Sequence, residues 1–218
     1  MPAETVQISH YSDILCVWAY VSQIRIDELR RQFPAEVAIR SRFCSVFPDV
    51  AGKLDKSWKD RGGLAAFRAH VVQTIARFDH VTLHPDVYTR VVPTTSATVH
   101  AFVKAAELAG AAPEPLAWAL RLAFFRDGRD VSQLAVQIAV ATEAGLALEP
   151  IRAALDDGRA WAALLGDYDD AAADHVRGSP TFLLNERRQI LFGNVGYKII
   201  EANVHELLHH PEDRASWC

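Results

Sequence analysis

Val6, Ile8 and His10 alternate with Gln7, Ser9 and Tyr11, the two-residue period of a half-buried strand. The period then lengthens. Trp18, Val21, Ile24, Ile26 and Leu29 recur at helical spacing, Arg25, Asp27, Glu28, Arg30 and Arg31 fill other positions, and Pro34 stops the run beyond Arg31. A second apolar run from Val37 to Phe47 ends at Pro48. Strand, crossover helix and strand at these lengths predict a βαβ unit with parallel strands.

From Lys53 the pattern is helical. Residues 61–80 follow Gly62-Gly63 and break near His84-Pro85, and a further helix runs from Ser96 to Ala109, closed by Gly110. Others are predicted over 114–126, over 130–143 with Asp130 as N-cap, over 149–155 and over 160–175. Strands return with Thr181 to Asn185 and Gln189 to Gly193, at hairpin distance and therefore antiparallel, before an amphipathic helix from Tyr197 to His209. The order βαβ, helical block, ββα gives each outer part half of a sheet. The expectation is one α/β domain, residues 1–52 and 176–218, carrying a helical insertion over 53–175. No repeat or polar linker interrupts this order.

Composition narrows the functions. Half of the 218 residues are hydrophobic, 23% are charged and the net charge is −4 with no basic run, which points away from nucleic acid and anionic membrane surfaces. No apolar run reaches the length of a transmembrane helix, and Met1 to Thr5 has no secretory-signal character. Three cysteines do not build a disulfide framework, so free thiols in a reducing cytoplasm are expected.

Cys16 carries the candidate chemistry. It stands where the first strand gives way to the first helix, where unpaired backbone N–H groups and the helix dipole favour an anion. Such a position can lower a thiol from about 8.5 into the range of roughly 3.5–7.5. Asp13 opposes that effect if its carboxylate lies near. Ser12 reads as a helix-start cap that, with Tyr11, could also donate to a thiolate or substrate; Trp18 reads as packing that shapes the pocket. Cys44 is expected as a buried core thiol, with resolution of Cys16 as its alternative role, and Cys218 as an exposed terminal thiol without one. His205, His209 and His210 read as a solvated helix face, His80 and His84 flank a loop near Pro85, and no metal site is expected at either place.

The element order, Cys16 at the helix start and Gly178-Ser179-Pro180-Thr181-Phe182 before the third strand together resemble the DsbA family of the thioredoxin superfamily across nearly the whole chain. The segment Asp13-Ile14-Leu15-Cys16-Val17-Trp18-Ala19-Tyr20 is similar to the Asp-Phe-x-Cys-Pro-Trp-Cys-Tyr of the branch that holds FrnE-type oxidoreductases and 2-hydroxychromene-2-carboxylate isomerases. Ala141 to Leu146 and Phe124 to Gly128 are similar to that branch's Ala-x-x-x-Gly-Leu and Tyr-Phe-x-x-Gly stretches, and Thr94 to His100 to a helix of its insert, where His100 is expected to be structural or pocket-lining.

The resemblance implies a thioredoxin fold with an inserted all-helical domain, a cis proline at Pro180 facing the thiol, and a free Ser179 backbone to pair with an extended peptide or with glutathione. It also exposes a departure: Ala19 stands where the second cysteine would be, and Val17 where the proline would be. The expectation is therefore monothiol disulfide exchange by Cys16. Ser12, Trp18, Ser179 and Pro180 would line the binding site, glutathione would be co-substrate with no permanently bound cofactor, protein disulfides are further candidate substrates, and a homodimer stays open. The alternatives are a glutathione-dependent isomerase or kappa-class-like transferase, in whose relatives a serine stands at position 16, and a binding module without catalysis.

Overall fold

The structure, a computed structural model, describes residues 5–212 and Ser216. Strand β1 (Val6–Ser12) leads into helix α1 (Val17–Gln32) and returns through β2 (Val37–Phe43). These are joined by β3 (Thr181–Leu184) and β4 (Gln189–Phe192) in one sheet of order β2-β1-β3-β4. β1 and β2 run parallel from Val6 opposite Val37 to Ser12 opposite Phe43. β3 runs antiparallel to both β1 and β4, with Tyr11 opposite Thr181 and Thr181 opposite Phe192. Both outer parts of the chain thus supply one sheet, the mixed α/β arrangement of a thioredoxin fold.

The alternation of β1 decides which face each side chain takes. Val6 and Ile8 pack with Phe182 and Leu184 against Ile26 and Leu29 of α1 and Ile200 and Val204 of α9 (Tyr197–His209). Each of these side chains is at most 2% exposed, and full burial of one contributes about 1.5–3 kcal/mol. Tyr11, one residue out of phase, packs with Leu183, Cys44 and Ala171 on the opposite face.

Between β2 and β3 lie seven α-helices and a short 3₁₀ turn (Lys59–Arg61): α2 (Val50–Trp58), α3 (Gly63–Ile75), α4 (Ala97–Leu108), α5 (Pro113–Phe125), α6 (Leu134–Glu143), α7 (Leu148–Asp156) and α8 (Arg159–Ala173). They share one hydrophobic cluster with Ile14, Leu15, Cys16 and Tyr20, so the start of α1 is packed into the helical block.

Several boundaries differ from the expectation. β2 ends at Phe43 instead of Phe47, because the N–H groups of Val46 and Phe47 turn to the Asp13 carboxylate at 3.0 Å each. α2 is an unexpected element that buries only Val50 and Leu54, with Asp49 as a true N-cap accepting from Gly52 N–H at 3.0 Å. The helix read over 61–80 is only Gly63–Ile75. Asp130 does not cap α6: Gln133 holds that position, while Asp130 accepts from the Ser132 hydroxyl and N–H in the preceding loop. Ile24, read as part of the buried stripe of α1, is 49% exposed. Cys218 lies outside the described residues.

Candidate functional site

β1 ends at Ser12, and the next turn delivers Cys16 to the N-cap position of α1. Its side chain does not cap the helix. The backbone N–H groups of Ala19 and Trp18, at the exposed end of the helical ladder, are aimed at the sulfur instead. Across from it lies the loop before β3, where the Ser179–Pro180 peptide bond is cis. The Cys16 thiol donates to the Ser179 carbonyl at 3.2 Å. The Ser179 hydroxyl accepts the Asp13 N–H at 2.9 Å, which leaves its own proton free to turn to the sulfur. The Ser179 N–H has no hydrogen-bond partner among the described residues. The Ser179 backbone is therefore half open: its donor is free and its carbonyl holds the thiol.

Burial reverses the expected electrostatics of that thiol. Cys16 is 6% exposed, and removal from water pushes its pKa above that of an ordinary cysteine, with the Asp13 charge adding to the rise. Hydrogen bonds from Ser179, Ala19 and Trp18 favour the thiolate but do not overcome burial. The helix N-terminus is present as read, yet the resting sulfur is a protonated thiol.

Asp13 organises the ground around Cys16. Its carboxylate is completely buried and accepts from Leu15 N–H on one oxygen at 2.9 Å. The other oxygen takes Val46 N–H and Phe47 N–H at 3.0 Å and the Ser96 hydroxyl at 2.7 Å. One side chain thereby ties the start of α1 to the segment after β2 and to the start of α4. Four hydrogen bonds are what allow a carboxylate to stay out of water.

His100 completes the turn from the same helix. Its Nε2 accepts the Ile14 N–H at 3.1 Å, so the ring proton sits on Nδ1 and faces the Tyr168 hydroxyl at 2.9 Å. The ring is fully buried and stacks on Phe43 at 4.2 Å, and burial pushes its pKa down to about 4. It is neutral at pH 7. Tyr88 supports the next residue, its hydroxyl donating to the Leu15 carbonyl at 3.2 Å.

Other residues singled out from sequence stand as follows. Ser12 does not cap the helix: its oxygen accepts from Arg121 Nη2 at 2.7 Å in the interior. The Tyr11 hydroxyl donates to Asp174 at 2.9 Å, on the sheet face opposite Ser12. Trp18 is partly buried, its ring edge-on to His70 at 6.3 Å, and its backbone N–H points at the thiol. Cys44 is a free thiol, 5% exposed and pushed strongly upward by burial, in the cluster with Tyr11 rather than with Cys16. His80 faces the Val21 carbonyl at 3.0 Å, His84 accepts the Asp86 N–H at 3.2 Å, and His209 faces the His205 carbonyl at 2.7 Å. No cluster of metal-ligating side chains occurs among the described residues. No helix among them is long and apolar enough to cross a membrane.

Sequence reasoning missed the roles of Asp13, Tyr88, Tyr168 and Arg121. The signal available for Arg121 was a cation amid Leu116, Ala117, Leu120 and Phe124, on the apolar face of α5.

A thiol at the start of the first helix, facing a cis proline before the third strand, defines the thioredoxin class of proteins. The chain belongs to the DSBA-like thioredoxin domain family, whose model matches residues 7–204. Among solved structures it is similar to a "probable DsbA oxidoreductase" from Streptomyces coelicolor, at 20% identity over 98% of this chain and 94% of that one, with a TM-score of 0.74. It is also similar to the cytosolic disulfide reductase DsbM from Pseudomonas aeruginosa with GSH, at 18% identity, 91% and 99% coverage and a TM-score of 0.67. A 2-hydroxychromene-2-carboxylate isomerase matches at 16% identity, 96% and 100% coverage and a TM-score of 0.65. No curated protein matches the chain.

Proposed function

We propose that this protein catalyses thiol–disulfide exchange through Cys16 alone, with glutathione as the second thiol in a reducing compartment. The observation that carries this reading is the 3.2 Å contact of Cys16 Sγ with the Ser179 carbonyl beside Pro180, with Ala19 where a second thiol would stand. Cys16 loses its proton and attacks one sulfur of a substrate disulfide. A mixed disulfide forms on Cys16 and the other half leaves as a thiolate that takes up a proton. Glutathione thiolate then attacks the substrate sulfur of the mixed disulfide, which frees Cys16 and leaves a substrate–glutathione disulfide.

The high pKa of the resting thiol favours the reducing direction. A thiolate of high pKa is a strong nucleophile and a poor leaving group, so a disulfide on Cys16 is not a strong oxidant. As the sulfur leaves the Ser179 carbonyl to attack, that carbonyl becomes available together with the free Ser179 N–H to pair with the backbone of the incoming cysteine. Trp18 would wall the site, and Ser12 acts only through Arg121 unless binding opens the interior. The DsbM structure with GSH supports glutathione as co-substrate for this architecture.

Incubation with oxidised glutathione tests the reading: one glutathionyl group should appear, mapped to Cys16 by peptide mass, and reduced glutathione should remove it. A Cys16 that stays unmodified up to about pH 10, well past the usual thiol pKa in the direction burial moves it, removes the reading. A second reading, glutathione-dependent isomerisation or transfer, draws support from the protonated thiol, since a neutral S–H at the helix start could donate to a bound glutathione thiolate as a serine hydroxyl does. Turnover of a chromene carboxylate or a chloro-nitro aromatic with glutathione, retained in Cys16→Ser, would favour it over exchange.

A further inference from the structure

Arg121 is a charge with nowhere to discharge itself. It lies on α5, is 3% exposed, and among the described residues makes one hydrogen bond, from Nη2 to the Ser12 hydroxyl at 2.7 Å. Its Nε has no acceptor, and no carboxylate stands within ion-pair distance among the described residues. The narrow, partly open cavity it lines with His10, Ser12, Gln23 and Phe43 measures about 10 Å³, about the room of one water and too little for an organic anion. Glu107 and Glu114 also border that cavity, but Glu107 is held by Lys104 at 2.7 Å and Glu114 by Arg30 at 3.1 Å and the Ser41 hydroxyl at 2.9 Å. The guanidinium must therefore be balanced from inside the protein.

The opposite charge is one residue from its anchor. Ser12 holds the guanidinium and Asp13 is the buried carboxylate, itself without a cationic partner because His100, 3.7 Å away, is neutral. Cys16 follows within a single turn. The buried charges thus balance only while the sulfur is a thiol; ionising it adds a second negative charge, for which Arg121 is the buried counter-charge. The charge that acts on the sulfur is Asp13, which opposes ionisation; Cys44 and Tyr88 couple to it only electrostatically, and burial keeps both neutral. Around Arg121 are His10, held neutral, and the two engaged glutamates. Arg121 keeps its own charge, its pKa pushed down only to about 10 by burial against the raising effect of Cys16 and Asp13, and the Cys16 N–H on the Asp13 carbonyl at 3.1 Å closes the turn that joins its Ser12 anchor to the reacting residue.

We propose that Arg121 is a positioning residue that supplies the buried counter-charge for the Cys16 thiolate, held in place by Ser12 and set against Asp13. The proposal rests on the reading of Cys16 as the reacting thiol and deepens it, since the helical block then contributes to the chemistry as well as to the walls. The measurement is the pH dependence of Cys16 alkylation by iodoacetamide, with peptide mapping to separate Cys44 and Cys218, in the wild type and in Arg121→Gln, Arg121→Lys and Ser12→Ala. Arg121→Gln can keep the bond to Ser12 without the charge. Its alkylation profile should move up by about one pH unit, roughly a tenfold slower reaction at pH 7, the low end of what a neighbouring charge does. Arg121→Lys should stay near wild type. Ser12→Ala, which frees the guanidinium without removing it, should move in the direction of Gln by less.

A merely structural role predicts changes in thermal midpoint with an unmoved profile, and that result in the folded Gln variant overturns the proposal. Should the Gln variant not fold, an unmoved profile in folded Ser12→Ala does the same. Failure of glutathionylation in the wild type would defeat the functional reading instead, and the alkylation profile, read without glutathione, still decides the role of Arg121.

Discussion

His100 Nε2 accepts the backbone N–H of Ile14 at 3.1 Å, a bond that links α4 to the turn before the reactive helix across 86 positions of sequence. Both partners are fully buried, so neither can exchange the bond for water. The geometry of Cys16 therefore depends on a neutral imidazole from the helical block.

Replacing that imidazole should show the dependence directly. His100→Leu removes the acceptor, leaves the Ile14 N–H unpaired in the interior, and also takes from the Tyr168 hydroxyl the ring nitrogen it faces. The expected loss is about 1–3 kcal/mol for the backbone donor alone, read from urea unfolding. A change below about 0.5 kcal/mol, the size of an ordinary surface substitution, would mean that the turn does not need the bond.

Acid should destabilise the protein before its carboxylates titrate. Burial pushes His100 down to about 4, and burial with the nearby Arg121 and Arg30 charges pushes His10 down to about 3. In the unfolded chain both return to about 6.5 and bind protons that the folded state refuses. The stabilisation is complete above about pH 6.5 and is lost as pH falls through about 6 towards 4 and 3. Each histidine contributes a slope approaching about 1.4 kcal/mol per pH unit, as an order of magnitude. Unfolding free energies between about pH 7 and 4.5 should fall, and the slope should shallow in His10→Phe. A flat profile over that range would contradict the neutral, buried state of both rings.

Asp13→Asn should separate stability from reactivity. One carboxylate oxygen now accepts three donors, and an amide cannot satisfy donors on both of its ends. The variant should lose about 1.5–3 kcal/mol of stability. Removing the negative charge should at the same time lower the Cys16 pKa, since Asp13 raises it. Alkylation at neutral pH should become faster in a less stable protein, a pairing that general loosening is tested against by comparing Cys44.

Ala19→Cys should convert the site to a dithiol. Ala19 is 1% exposed and its N–H already points at the Cys16 sulfur, so a thiol there stands on the first turn beside it. On mild oxidation the variant should close a disulfide between Cys16 and the introduced thiol, detected as iodoacetamide protection of both sulfurs that dithiothreitol reverses. Persistent single glutathionylation in its place would show that the turn cannot close.

Much of this fold was legible because its signals are local. The alternation in β1, the hairpin distance between β3 and β4 and the apolar stripe of α9 are each contained within a short stretch of chain, and the observed elements follow them. Helix α2 escaped because two buried residues, Val50 and Leu54, make too short a stripe, and Gly52 weakens it further. The reactive position itself was visible at Cys16, but its surroundings were not. Asp13 reads only as a carboxylate that opposes the thiolate until Ser96, Val46 and Phe47 are known to converge on it, and nothing within its own segment announces partners 33 and 83 positions away. The direction of the thiol's pKa is hidden for the same reason: a helix start is local, whereas burial is a property of the assembled protein.

The contact between Cys16 and Ser179 spans 163 positions, and the Asp13 carboxylate is satisfied only once Ser96 has joined it. A chain emerging from the ribosome therefore holds Cys16 without its Ser179 partner until 163 further residues have been added, and the sulfur gains its complete surroundings only when β3 arrives. Nascent or truncated chains ending before Ser179 should carry the ordinary reactivity of a free cysteine. The same residue would then be a liability during translation and a selective reagent afterwards.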